Sequence, residues 1–285
     1  MRGGSRSLLI LDQRGVAWVV KFSGNPQHRN LILNEHLAGG VASLLKLTVP
    51  ASAPIWISEQ LASEIQLSVP KHDGIYVAGL HFASRYVGGL MPGLVVNMLP
   101  GDSMAKVTNI DELAGIKVLD LWLQNTDERQ AVLARKWSSK SYRAYWIDFG
   151  NCFGRTRWNA DNHWLTRHVL ETTPCWLDLA DYEPWIQRIE QLSFADLMSV
   201  FNTVPESWRR GREADLDGLA QFVDASRWRV RSLIVQFLEE RRKASDKSAG
   251  VNSPFIDPGL NRLTDHRVLE NDEVPLLCEE SPLLL

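Results

Sequence analysis

The chain has 285 residues, 45% of them hydrophobic, enough to bury the core of one large domain or two small ones. A formal net charge of −3 gives no reason to expect nucleic acid or an anionic membrane surface as a partner. Three irregularly spaced cysteines (Cys152, Cys175, Cys278) form neither a metal motif nor a disulfide framework, and no long apolar signal core or transmembrane span is expected, so the expected setting is a reducing cytoplasm.

The front of the chain reads as strands. "LLILD" and "VAWVVKF" flank a turn at Gly15 and predict a hairpin. Along the second strand Val16, Trp18, Val20 and Phe22 share one face, and Ala17, Val19 and Lys21 the other. Lys21 therefore projects among small apolar groups. In "NLILNEHLAGGVASLLKL" Leu37, Val41 and Leu44 form a helical stripe, with Glu35, Ala38, Gly39 and Ala42 on a neighbouring face of small residues. Pro50 breaks the helix and "TVPASAPIWIS" returns to strand. Residues 74–101 are Gly-rich and show little periodicity.

"NIDELAGIKVLDLWLQN" predicts a helix, with Asn109 as N-cap and Glu112 at capping-box spacing. Asp120 shares a side with Leu113, Ile116 and Leu123. Asp127 and Asp148 then lie at the two ends of a hairpin-like stretch. Three further helices are predicted over "EPWIQRIEQLSFADLMSVF", "EADLDGLAQFV" and "SRWRVRSLIVQFLEERRK", the last with a strong apolar stripe from Val230 to Leu238. Residues 247–285 lose periodicity and predict a mostly disordered tail. All eleven tryptophans lie between Trp18 and Trp228, which suits a buried aromatic core better than a stacking groove. The expected fold class is α+β: a β-rich lobe followed by a mainly helical one, with a cleft between them.

Within this layout four residues stand in a telling order: Lys21 on a strand, Glu35 on the next helix, Asp127 in a loop and Asp148 before Phe-Gly. Phosphoryl transfer from ATP needs a Lys on phosphate oxygens, a Glu holding that Lys, a carboxylate facing the attacking hydroxyl and another for Mg²⁺. Protein kinases present these groups in this order. Taken singly, each has a plainer reading: a solvated lysine, a surface glutamate, a turn aspartate, a strand-end aspartate. Asn125 and Asp120 read as loop-bracing partners, and Arg129 as either a substrate contact or a salt-bridge partner. His163 and His168 lack zinc spacing, and no Gly-x-Ser-x-Gly elbow is present.

The stretches "VVKFSGNPQHRNLILNEHLA", "LHFASR", "VLDLWLQNTDERQAVLAR" and "YWIDFGNCF" resemble the HipA-like kinase domain family of bacterial proteins. The resemblance implies a bilobal protein-kinase-like fold over residues 1–246, with a first lobe to about residue 78 and a second over about 79–246. It implies ATP and Mg²⁺, with Lys21 as the nucleotide lysine, Glu35 as its partner, Asp127 as the catalytic aspartate and Asp148 as the metal aspartate. The acceptor it implies is a protein Ser or Thr hydroxyl, with a small-molecule or lipid acceptor also open. Two features depart from the protein-kinase pattern. Val132 stands where a second metal-binding Asn is expected, and Gln130 beside it either supplies a carbonyl ligand and a catalytic contact or merely lines the loop. Gly3, Gly4 and Ser5 form no full Gly-rich loop, and either cover phosphate with backbone N–H groups or are a loose terminus. A pseudokinase, which binds nucleotide without turnover, is the competing expectation.

Overall fold

The computed structural model describes residues 6–69, 75–88, 94–96, 105–156, 158, 169 and 177–249. Strands β1 (Leu8–Leu11), β2 (Ala17–Lys21), β3 (Ser52–Ile57) and β4 (Gly79–Arg85) form one antiparallel sheet in the order β1-β2-β4-β3. The predicted hairpin is present: Leu8 faces Val20, and Gly15 turns the chain at φ +73°. The Asp12 carboxylate closes that turn by accepting from the Arg14 and Val16 N–H groups, each at 2.9 Å.

The two faces of this sheet have different coverings. Val20, Phe22, Ile57 and Ala83 pack with Leu61, Ala62 and Ile65 of helix α2 (Glu59–Ser68). Phe82, the register partner of Lys21, packs instead in the larger core with helix α1 (Leu31–Leu44). Lys21 therefore emerges on the α1 side, as strand alternation requires. Helix α1 is buried nearly all round, as a helix between two layers must be. Its Gly40 lets the second lobe approach: a Cβ there would sit 2.4 Å from Val200 Cγ1.

The second lobe holds helix α3 (Glu112–Trp122) and a three-stranded sheet of β5 (Val95–Val96), β6 (Gln130–Ala134) and β7 (Arg143–Ile147). Helices α4 (Leu179–Gln191), α5 (Phe194–Phe201), α6 (Glu206–Arg209), α7 (Glu213–Ser226) and α8 (Val230–Ala249) follow. The arrangement is the α+β, bilobal, kinase-like one. Among the described residues no helix is long and apolar enough to cross a membrane.

Several expectations need correction. The first sheet runs past residue 78, because β4 pairs with both β2 and β3. That strand hides inside a segment read as non-periodic because both of its faces are covered, which removes the apolar–polar alternation. Asn109 does not cap α3. Its side chain bonds the Ala144 backbone instead, donating to the carbonyl at 3.0 Å and accepting from the N–H at 2.9 Å. Glu112 is drawn away too, accepting from Thr48 N–H at 2.7 Å and Trp146 Nε1 at 3.0 Å. The single helix predicted over 183–201 is two, split at Ser193, which forms a capping box with Asp196. Helix α2, which the sequence reading passed over, starts at Ser58, whose hydroxyl accepts from Leu61 N–H at 3.2 Å. Helix α8 continues to Ala249, beyond residue 246; the rest of the tail lies outside the described residues.

Candidate active site

The β6–β7 hairpin brings the ends of two strands to one place. Gln130 opens β6 opposite Ile147, so Asp148, the next residue, lies beside it. Gln130 Nε2 donates to Asp148 Oδ2 at 3.0 Å. Across the cleft, Lys21 Nζ donates to Asp148 Oδ1 at 2.8 Å and also to Glu35 Oε1. Glu35 Oε1 accepts a further bond from Gly150 N–H at 2.8 Å. The glycine is required there: a Cβ at 150 would lie 2.9 Å from Leu31 Cδ1 and 3.1 Å from Glu35 Oε1. Lys21, Glu35, Asp148 and Gln130, distant in sequence, thus form one connected cluster.

Burial works against the Lys21 ammonium, but Glu35 and Asp148 outweigh it and raise its pKa, so the lysine stays charged. Burial likewise opposes the Asp148 carboxylate, and the Lys21 charge prevails, holding it below the ordinary carboxylate value. Glu35 is the group that burial dominates. Its side chain is 3% exposed, and its pKa is raised despite Lys21, with the Asp148 charge adding to the effect.

Arg129 is a salt-bridge partner rather than an exposed contact. Its side chain, 3% exposed, pairs with the buried Asp120 carboxylate, with Nε at 3.2 Å from both oxygens. It lies 4.2 Å above the Phe149 ring, and its Nη1 donates to the carbonyls of Ile147 at 2.9 Å and Asp148 at 2.8 Å. Those bonds hold Asp148 at φ +64°, a left-handed conformation that costs a non-glycine residue about 1 kcal/mol or more. The strand end is therefore kept in a strained shape by a buried cation.

Asp127 is exposed, on the loop between α3 and β6. Asn125 shapes that loop, its amide donating to the Asp127 carbonyl at 3.0 Å. The loop is also zipped to the segment after Asp148. Thr126 N–H donates to the Asn151 carbonyl at 3.1 Å, and Gly154 N–H to the Gln124 carbonyl at 3.2 Å. The Asn151 amide donates to Asp127 Oδ2 at 2.9 Å. Val132 lies within β6 opposite Tyr145 and offers no oxygen. Gly3, Gly4 and Ser5 lie outside the described residues, as do His163 and His168.

Two participants escaped the sequence reading. Asn34, fully buried on α1, directs its amide at the carbonyls of Gly150 (2.8 Å), Cys152 (2.9 Å) and Arg155 (3.0 Å), while its oxygen accepts from Trp158 Nε1 at 3.0 Å. Asn151 is the other. An asparagine inside a buried helical run was a signal for the first; its position directly after Asp-Phe-Gly was the only one for the second. Cys152 is buried, and burial pushes its thiol up to about 12, so it is inert packing.

Among the described residues no group of three or more His, Cys, Asp or Glu side chains could hold a metal by itself. One carboxylate with an amide beside it suits Mg²⁺, which takes few protein ligands and completes its shell with water and phosphate oxygens.

No curated protein matches the sequence. Among solved structures, the chain is similar to the crystal structure of a Helicobacter pylori proinflammatory kinase, CtkA, at 14% identity and a TM-score of 0.46, over 84% of this chain and 95% of that one. The description of the HipA-like kinases matches residues 2–232, most of the chain's length, and the chain belongs to that family.

Proposed function

We propose that this protein is an ATP- and Mg²⁺-dependent phosphotransferase that acts on the hydroxyl of a protein Ser or Thr. The observation that carries the reading is the Lys21–Glu35–Asp148 cluster, a buried cation held between two carboxylates at the meeting of the lobes. Glu35 orients the Lys21 ammonium, and the ammonium stands ready to donate to phosphate oxygens. Asp148 offers a hard oxygen ligand to Mg²⁺, and Gln130, whose amide nitrogen faces Asp148 Oδ2, would turn its amide oxygen to the ion once a cation stood between the two. Asp127, exposed at the loop tip, accepts the proton of the incoming hydroxyl. Bound ATP supplies the transferable phosphoryl group, and the chain's part is positioning and charge stabilisation.

The test is incubation of the purified protein with labelled Mg-ATP, alone and with a lysate, beside Asp148→Ala. Label transferred by the parent and not by the variant supports the proposal. Nucleotide binding without transfer to any acceptor favours the pseudokinase reading, for which Val132 is the specific observation.

A further inference from the structure

Behind Asp127 lies a buried polar pair that the cluster above does not use. Asn151 is 5% exposed. Its amide nitrogen faces Asp127 Oδ2 at 2.9 Å, and the negative carboxylate fixes that orientation, because the flipped amide would set oxygen against oxygen. Its own oxygen is thereby turned inward, where it is buried without a hydrogen-bond partner. His28, on the loop between β2 and α1, is 8% exposed, and both of its ring nitrogens are buried without a partner. Asn151 and the Gly150 backbone lie close enough to act on its titration, yet neither partners a ring nitrogen. Burial and the nearby positive charges of Arg155 and Lys21 hold its pKa down and keep it neutral, so it carries one N–H and one lone pair. Two buried side chains thus have complementary unmet needs: an amide oxygen seeks a donor, and an imidazole has one to give. Leaving either unmet is costly, which makes a rotation that joins them favourable.

We infer that Asn151 is a positioning residue for Asp127, and that His28 supports it from the first lobe by donating to its inward oxygen. The chain His28, Asn151, Asp127 moves no proton. It sets the direction in which the carboxylate presents its free lone pairs, and it makes the angle of the Asp127 loop depend on the β2–α1 loop of the other lobe. The inference rests on Asp127 being the group that faces the acceptor hydroxyl.

The test uses the full chain. Asn151→Ala and the isosteric Asn151→Asp are expected to lower kcat on the order of ten- to a hundredfold while KM for Mg-ATP stays within about twofold. His28→Leu should show a smaller loss of kcat, and His28→Gln, which keeps a donor, should recover most of it. A purely structural role would instead leave kcat per folded molecule intact. Unchanged kcat in both Asn151 variants overturns the proposal and leaves the phosphotransfer reading standing. A second measurement needs no turnover: the side-chain amide resonances of Asn151, followed by NMR, should move on Asp127→Ala and shift again on His28→Leu. Resonances that ignore Asp127→Ala overturn the proposal whether or not the protein is active. If the parent transfers phosphate to nothing, the phosphotransfer reading fails by itself, and the resonances alone decide the contact. If Asn151→Ala does not fold, Asn151→Asp and the Asp127→Ala spectrum carry the decision.

Discussion

Replacing Lys21 by Met should destabilise the protein in a way that depends on pH. The ammonium lies 2.8 Å from Asp148 and also bonds Glu35. At an effective dielectric of about 20, one such contact is an attraction of about 6 kcal/mol. Desolvating the ammonium cancels much of it, and removing one member of a buried pair costs about 3–5 kcal/mol net, because the partner charge is stranded. Here the stranded charge is chiefly Glu35, since Asp148 keeps 23% of its side chain exposed. In Lys21→Met the folded pKa of Glu35 rises further above its unfolded value. The Glu35 part of the penalty is therefore absent below the unfolded value of about 4.3, grows as pH rises toward the folded one and is full beyond it, while the smaller loss of the Asp148 contact persists to lower pH. Urea unfolding at pH 7.5 and at pH 5 measures this directly. The expected loss is about 3–5 kcal/mol at the higher pH and clearly less at the lower. Glu35→Gln in the same background should restore most of the stability and flatten the pH dependence. A Lys21→Met protein as stable as the parent at pH 7.5, or equally destabilised at both pH values, would refute the argument from buried charge.

Asp120→Ala strands the Arg129 guanidinium and should cost about 3–5 kcal/mol in chemical denaturation; because Arg129 also holds the Asp148 carbonyl, nucleotide affinity should fall with it. Gly40→Ala brings a methyl to 2.4 Å from Val200 Cγ1 and should lower stability by about 1–3 kcal/mol, with Val200→Ala in the same background recovering part of the loss. Gln130→Ala should raise the magnesium concentration needed for half-maximal ATP turnover and Val132→Asn should lower it; a magnesium titration unchanged by Gln130→Ala would mean that Asp148 alone serves the ion.

The parts of the site that local chemistry specifies were legible in the sequence. Strand alternation puts Lys21 opposite the face of Val20 and Phe22, and helical spacing puts Glu35 on the small-residue face of α1. The hairpin between Asp127 and Asp148 follows from its apolar runs. What stayed hidden depends on groups meeting across the fold. Asn109 and Glu112 have capping-box spacing, yet backbone donors and acceptors brought by β7 and Thr48 outcompete the local cap. The break at Ser193 had its own signal, Ser193 with Asp196 three residues on, but the apolar periodicity continues through it and masks the stop. Arg129 offered two readings because a sequence does not say which carboxylate will be buried beside it. Strand β4 lost its alternation by being covered on both sides. His28 and Asn151 have no meaning until two loops from different lobes are folded together.

The amide of Asn34 has a consequence for how activity is governed. A kinase switched by its helix must be able to swing that helix outward and part the Glu from the Lys. Here Asn34 sits one residue from Glu35 and is fastened to three carbonyls between residues 150 and 155. The amide shares its two N–H groups among those carbonyls, and a swing of α1 would break both bonds, each buried loss costing about 1–3 kcal/mol. The helix and the segment after Asp148 must therefore travel as one piece or not at all. In the phosphotransferase proposed above, such a clamp would leave control to act from outside the cleft, through the supply of nucleotide or the access of the acceptor.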